Sequence, residues 1–231
     1  MSLLRLRMEV KHSAIMREVA MPEDFTLAFL HEAIQSLFGW LDYHLHEFTD
    51  AKGIRYVDRD CDPPDDGLPY KFEDDVMMKK FFKKPGDTLD YEYDFGDRNE
   101  VLITLVGRVA QAMPKHFLTR GPDMVEDSAG VGGTEGVVEK LKRGSAKEKT
   151  ELASWLMGAF QKNPEQVVRE PDAQEIFLRI YRLVKLVDIA EGNKRDFYYH
   201  DWYWTCLDGR WKFGIPVTGP GPREIFWKNV K

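Results

Sequence analysis

The sequence predicts an α+β protein with a mainly antiparallel sheet. Two-residue alternation of apolar and polar side chains marks several strands within the first 110 residues, and helical spacing marks two segments after residue 145. A strand hairpin followed directly by a helix opens the chain, as in β-grasp folds. We therefore expect a β-grasp-like start, a C-terminal helical pair and a final aromatic-rich hairpin.

The opening elements follow from alternation and from capping residues. Apolar and charged side chains alternate over residues 3–10, and a second short strand is expected at 15–19. Thr26 is the expected N-cap of the next helix, whose apolar residues repeat at helical spacing until Gly39 ends it.

The middle of the chain predicts short strands separated by loops. Residues 44–48 form one expected strand and residues 54–57 its partner. An acidic, proline-bearing loop is expected at 58–69, and a short helix at 74–82.

The most informative segment is 89–97. Its four apolar side chains alternate with acidic ones, so it is predicted to be a strand with one apolar and one acidic face. Gly96 breaks the pattern, and a second strand begins at Val101. Asp94 and Asp97 are therefore expected at the tip of a hairpin.

Helical patterning takes over in the second half. The glycine-rich stretch 119–136 has little periodicity and is predicted to be a long loop. A capping box at 145–148 starts one helix, and a second helix is expected over 172–192. Residues 197–231 are rich in aromatic side chains and are predicted to form the final hairpin.

The length of 231 residues suits one large domain. We assign residues 1–140 to an α+β core, and residues 141–231 to a helical pair and hairpin packed on that same core.

The composition limits the classes of function. A net charge of −6 disfavours a general nucleic-acid binder, although it leaves room for a local basic patch. Two cysteines, Cys61 and Cys206, make no disulfide framework. The sequence has no signal-peptide pattern at its start and no apolar run of membrane-spanning length. These features predict a cytoplasmic protein without a membrane partner.

Several motifs together resemble the plasmid pRiA4b ORF-3-like family. They are the helix motif at 26–34 with Phe-Gly-Trp at 38–40, the strand motif at 44–48, the hairpin motif Tyr-Glu-Tyr-Asp-Phe-Gly-Asp at 91–97, and the acidic, glycine-rich stretch at 126–136. The resemblance covers the chain from its first strand to about residue 140. It implies the family's fold but no established activity, and the family's association with plasmids and mobile elements suggests a DNA-related role.

The chain departs from the family pattern beside the hairpin tip. The family usually has a tryptophan after Gly-Asp and a histidine two places further on, whereas residues 98–101 are Arg-Asn-Glu-Val. Met124-Val125 replaces the usual double proline ahead of Glu-Asp. Any role of that histidine in the family is therefore absent from this chain or supplied elsewhere.

His44 and His46 are candidate metal ligands. Two residues apart on a predicted strand, they share one face and so offer two imidazoles to one ion. Asp94 and Asp97 would add oxygen ligands if the hairpin lies beside that strand. The alternative, a polar sheet face with hydrogen-bonded histidines, is favoured. No cofactor is therefore predicted, and a bound divalent metal remains the alternative.

The acidic tip carries the candidate catalytic residues, Asp94, Asp97 and Asp127. Paired carboxylates suit acid–base chemistry, but aspartates in turns also bind nearby backbone amides, and this bracing role is favoured. Together with Tyr93 and Glu126, these aspartates form the predicted binding surface.

Lys79, Lys80, Lys83 and Lys84 flank two phenylalanines and form the densest basic run. Basic residues next to aromatic ones suit a nucleic-acid backbone with stacked bases. The acidic net charge instead favours a solvated basic helix end.

We predict a non-catalytic binding protein that contacts a protein or nucleic-acid partner through the hairpin tip and the glycine-rich stretch. Two alternatives remain open. One is a metal-assisted hydrolase or nuclease that uses both histidines and the three aspartates. The other is a DNA-binding accessory factor that uses the four lysines. The sequence leaves the oligomeric state open.

Overall fold

The computed structural model describes residues 2–61, 67–110 and 115–193. The strands within these ranges are β1 (Ser2–Val10), β2 (Met16–Pro22), β3 (His46–Thr49), β4 (Arg55–Val57), β5 (Tyr70–Phe72), β6 (Thr88–Tyr93), β7 (Asn99–Ala110) and β8 (Lys115–Arg120). These described strands form one sheet in the order β5-β4-β3-β6-β7-β1-β2-β8. Neighbouring strands are antiparallel except β4 and β5, which run parallel. The predicted α+β fold with a mainly antiparallel sheet is confirmed.

The helices are α1 (Leu27–Phe38), α2 (Gly130–Arg143), α3 (Ala146–Phe160), α4 (Pro164–Val167) and α5 (Ala173–Asn193). The predicted limits of α1 are confirmed: the Thr26 hydroxyl accepts the amide of Phe29 at 3.3 Å, and Gly39 ends the helix in the left-handed region. The order β1, β2, α1 is the predicted β-grasp-like start. The capping box that starts α3 is also confirmed.

The core lies where α1 meets the sheet. Leu30 and Ile34 of α1 are fully buried, as are Leu6 and Met8 of β1, which lies between β7 and β2. Burial of each such side chain stabilises the fold by about 1.5–3 kcal/mol. In β6 the two-residue alternation buries Tyr91, whose hydroxyl accepts a hydrogen bond from Gln35 of α1 at 2.8 Å. The hairpin is thereby fixed against the helix.

The prediction of a long loop over 119–136 is wrong, because α2 begins at Gly130. Asp97 Oδ2 accepts the backbone amides that start this helix, and Thr134 Oγ1 accepts the amide of Val125 at 3.1 Å. Gly133 packs so close to the Ser128 carbonyl that a Cβ would lie 1.2 Å from its oxygen. Glycine permits this contact, so its presence marks packing rather than a loop.

Two other expectations need smaller corrections. The predicted helix over 74–82 is a pair of 3-10 turns, Glu73–Asp75 and Met78–Lys80. Strand β3 starts at His46 rather than at residue 44, so His44 lies in the preceding loop.

The chain divides into two compact units, Met1–Ile180 and Tyr181–Lys231. The first contains the sheet, α1 to α4 and the beginning of α5; the described part of the second is the remainder of α5. Helices α3 and α5 correspond to the predicted helical pair. The predicted final hairpin lies outside the described residues, and the domain assignment stays a prediction. None of the described helices combines the length and the apolar character needed to cross a bilayer.

Candidate functional site

Asp94 braces the turn between β6 and β7. Its backbone lies in the left-handed region with φ of 57°, which aspartate tolerates better than most residues. Its Oδ1 accepts the backbone amides of Gly96 at 3.0 Å and Asp97 at 3.2 Å. This is the bracing geometry favoured from the sequence, and it leaves Asp94 Oδ2 free of the turn's backbone.

Asp97 joins the hairpin tip to the glycine-rich segment. Its Oδ2 accepts the amides of Ala129 at 2.9 Å and Gly130 at 3.0 Å, at the first turn of α2. A carboxylate at this position accepts hydrogen bonds from amides that have no partner within the helix, and its negative charge interacts favourably with the positive end of the helix dipole. The two segments predicted to form the contact surface therefore lie side by side.

His44 completes a cluster between these segments. Its Nε2 lies 2.9 Å from Asp127 Oδ1 and 3.6 Å from Asp94 Oδ2. One ligand atom from each of the three residues lies within 4.8 Å of the other two. Zinc and similar ions bind such atoms at about 2.0–2.2 Å, so small side-chain movements would bring all three to one ion. We call His44, Asp94 and Asp127 the tip cluster.

Tyr93 and Glu126 lie beneath the tip cluster rather than on its surface. Both are buried, and the Tyr93 hydroxyl donates to Glu126 Oε1 while accepting the amide of Tyr43 at 2.9 Å. Burial raises the pKa of Tyr93 and also that of Glu126. Of the predicted binding residues, these two position the loops that carry His44 and Asp127.

His46 belongs to a separate, buried cluster. Its Nε2 lies 2.9 Å from Glu73 Oε2, and its ring stacks on that of His31 with centroids 3.5 Å apart. His31 Nε2 lies in turn 3.0 Å from Asp42 Oδ1. The two predicted metal ligands therefore do not share one site, because the strand alternation that would align them begins only at His46.

Sequence reasoning missed most of this inner cluster, which we define as His31, Asp42, His46 and Glu73. His31 lies on the buried face of α1, where helical spacing alone gives it no functional signal. Asp42 follows the helix in a loop, and Glu73 lies in a 3-10 turn, so neither has a periodic signal. Only the tertiary fold brings them to His46.

Electrostatics in the inner cluster reflect its burial. Burial lowers the pKa of His46, but the charge and hydrogen bond of Glu73 outweigh this and raise it overall. Burial raises the pKa of Glu32 well above its ordinary value, and the charges of Asp42 and Glu73 raise it further. These carboxylates thus lie close enough to repel one another in a poorly solvated region.

The comparisons with known proteins agree with this fold. A family model described as Plasmid pRiA4b ORF-3-like protein matches residues 2–170, which is most of the chain. The chain belongs to this family. A crystal structure of MM3350, a protein of unknown function from Methanosarcina mazei Go1, is 28% identical, with a TM-score of 0.58 over 75% of this chain and 96% of that one. No curated protein matches the sequence.

In this pRiA4b ORF-3-like protein, the first two lysines of the basic run contact an acidic side chain and an aromatic ring. Lys79 Nζ lies 2.5 Å from Asp24 Oδ1, and Lys80 Nζ lies 5.5 Å from the centroid of the Tyr56 ring. All four lysines of the run are exposed. The run is accessible along its length, and its role in DNA binding stays a prediction.

Proposed function

We propose that this protein is a divalent-cation-dependent binding protein. The tip cluster holds the ion, and a partner protein completes the coordination with a carboxylate. The observation that carries the proposal is the convergence of His44, Asp94 and Asp127 within 4.8 Å. No other activity has equal support from the geometry.

The chemistry of the tip cluster favours a cation with open coordination positions. Two carboxylates face one imidazole, so a divalent ion would offset their repulsion. The side chains of His44 and Asp127 are 32% and 54% exposed, which leaves the outer side of the ion to water or to a ligand. Oxygen-rich sites with an imidazole suit Mn²⁺ or Zn²⁺.

Exposed apolar side chains next to the cluster favour a protein partner. Tyr43 and Leu45 flank His44 in the chain, and Phe95 follows Asp94; all three are exposed. The Leu45 carbonyl accepts the amide of Asp94 at 2.9 Å, so these segments are neighbours in space. Exposed aromatic and aliphatic groups around a polar anchor are typical of protein interfaces.

Calorimetric titration with Mn²⁺ and Zn²⁺ tests the ion site. The His44→Ala and Asp127→Asn variants should each bind one equivalent of metal less, or bind it with an affinity at least about tenfold lower. Asp24→Asn removes an exposed carboxylate of another ion pair and should leave binding unchanged. Equal metal binding by all four proteins would overturn the proposal.

Peptide display against the immobilised protein tests the partner. With Mn²⁺ present, selection should enrich peptides that carry Asp or Glu next to an apolar residue. EDTA should release these peptides from the protein. The Asp127→Asn variant should not bind them, and the Phe95→Ser variant should bind them with lower affinity. Selected peptides that bind equally well in EDTA would rule out recognition through a metal.

A metal-assisted hydrolase or nuclease is the second candidate, because the same open coordination positions would admit a water molecule. A bound divalent ion lowers the pKa of such a water and so provides a nucleophile. Hydrolysis of bis(p-nitrophenyl) phosphate and of single-stranded DNA with Mn²⁺ or Zn²⁺ tests this. Activity abolished by His44→Ala supports it, and its absence in the metal-loaded protein rejects it.

A further inference from the structure

We propose that the inner cluster, His31, Asp42, His46 and Glu73, is a second metal site, buried and specific for a transition metal, with Glu32 as an additional oxygen donor. This site is separate from the tip cluster. Its presence or absence therefore does not depend on the proposed binding function.

The geometry supplies a mixed nitrogen and oxygen donor set. Ligand atoms of His31, Asp42 and His46 lie within 4.8 Å of one another. Glu73 Oε2 adds a carboxylate oxygen 2.9 Å from His46 Nε2. Two imidazoles with carboxylates suit Zn²⁺, Fe²⁺ or Mn²⁺ better than Mg²⁺ or Ca²⁺, which prefer oxygen alone.

Glu32 is the independent observation that points to a ligand. Glu32 follows His31 on α1 and is only 6% exposed. Its Oε2 atom has no hydrogen-bond partner among the described residues. A buried carboxylate oxygen without a partner costs free energy that native proteins rarely leave unmet. Asp42 and Glu73 both act on its pKa, so its carboxyl group lies in their neighbourhood. A cation bound among these groups would supply the missing partner.

The charge balance of the cluster also favours a cation. His31 and His46 are the partners of Asp42 and Glu73, and their rings stack at 3.5 Å with planes 11° apart. Asp42, Glu73 and Glu32 bring three carboxyl groups to the neighbourhood of these rings, and a divalent ion bound among them would reduce their mutual repulsion. Each ring would then offer the ion one nitrogen.

The surroundings of His31 match those of a metal-bound histidine. Its Nδ1 lies 3.0 Å from the Tyr91 hydroxyl, which also accepts a hydrogen bond from Gln35 Nε2 at 2.8 Å. A ring whose second nitrogen is held in this way presents the first at a fixed angle. His31 Nε2 is thus directed at Asp42, where the ion would lie.

Metal reloading in a background without the tip cluster tests this site. The variant His44→Ala/Asp127→Asn is stripped with a chelator, reloaded with Zn²⁺ or Co²⁺, and measured by elemental mass spectrometry and by Co²⁺ d–d absorption. One equivalent of metal and a Co²⁺ spectrum are expected. His46→Gln should abolish both, and Tyr91→Phe should weaken affinity about 10- to 100-fold. No bound metal in the background variant, or unchanged binding by His46→Gln, would overturn the proposal.

Glu32→Gln decides the case if His46→Gln fails to fold. Without metal, this substitution replaces a carboxyl group that lies near Asp42 and Glu73 with an uncharged amide, so its Tm should equal or exceed that of the background variant. With Zn²⁺, the metal-induced rise in Tm should shrink. Glu92→Gln, on β6 and outside the cluster, should keep the full rise. An equal rise in both variants would show that Glu32 does not face a bound ion and would contradict the site as proposed.

Discussion

At the scale of single residues, the two aspartates of the acidic hairpin tip have different roles. Asp94 bonds its own turn through one oxygen and faces His44 with the other. Asp97 Oδ2 accepts hydrogen bonds from the backbone amides at the start of α2. The sequence pattern treats the two as equivalent, whereas their surroundings give Asp94 a place in the tip cluster and Asp97 a structural role.

Asp97→Ala is therefore expected to destabilise the protein without removing metal from the tip cluster. Loss of a helix-capping carboxylate costs about 0.5–2 kcal/mol, because two amides at the start of α2 lose their acceptor. Urea unfolding measures the loss. Asp127→Asn, whose carboxylate makes no cap, should stay within about 0.5 kcal/mol of the unsubstituted protein. Equal losses for the two variants would contradict this division of roles.

At the scale of elements, predictability follows the kind of signal that each element carries. Periodicity and capping residues predicted β1, β6, β7, α1 and the start of α3, because those signals are local. They failed for α2, since Gly133 is required by close packing against Ser128 rather than by a loop. They also failed for the inner cluster, whose Asp42 and Glu73 lie in irregular segments that only tertiary structure brings to His46.

The glycines of α2 provide a matched test of this explanation. Gly133→Ala should destabilise the protein by about 3 kcal/mol or more, because its Cβ would collide with the Ser128 carbonyl. Gly136→Ala has open space around the new Cβ and should stabilise it by about 0.5–1 kcal/mol through helix propensity. Urea unfolding of both variants measures the difference. If both substitutions changed the free energy of unfolding in the same direction, close packing at Gly133 would be contradicted.

At the scale of the whole first unit, one buried charge network joins segments that are distant in sequence. Arg17 of β2 is fully buried and donates to the carbonyls of Leu37 at 3.0 Å and Pro122 at 2.8 Å. Asp123 lies 3.2 Å from Arg17 and 2.7 Å from Arg179. The network thus joins β2, the end of α1, the loop after β8 and α5 within residues 1–180.

The charge state of Asp123 should make the stability of this network depend on pH. Burial by itself raises the pKa of Asp123, but Arg179, Arg17 and Lys162 outweigh burial and lower it overall. A carboxyl group whose pKa is lower in the folded than in the unfolded state contributes stability above its unfolded pKa of about 3.9. That contribution is lost as the pH falls through the folded-state pKa.

Asp123→Asn is accordingly expected to lose about 3–5 kcal/mol near neutral pH, because it leaves buried cations without their counter-charge. The difference from the unsubstituted protein should narrow as the pH falls from about 4 towards the lower folded-state pKa, at which the native carboxyl group becomes neutral as well. Urea unfolding across this range measures both effects. Asp24→Asn, which breaks an exposed ion pair, should lose less than about 1 kcal/mol. A loss for Asp123→Asn that stays constant down to about pH 3 would mean that packing, rather than charge, holds these segments together.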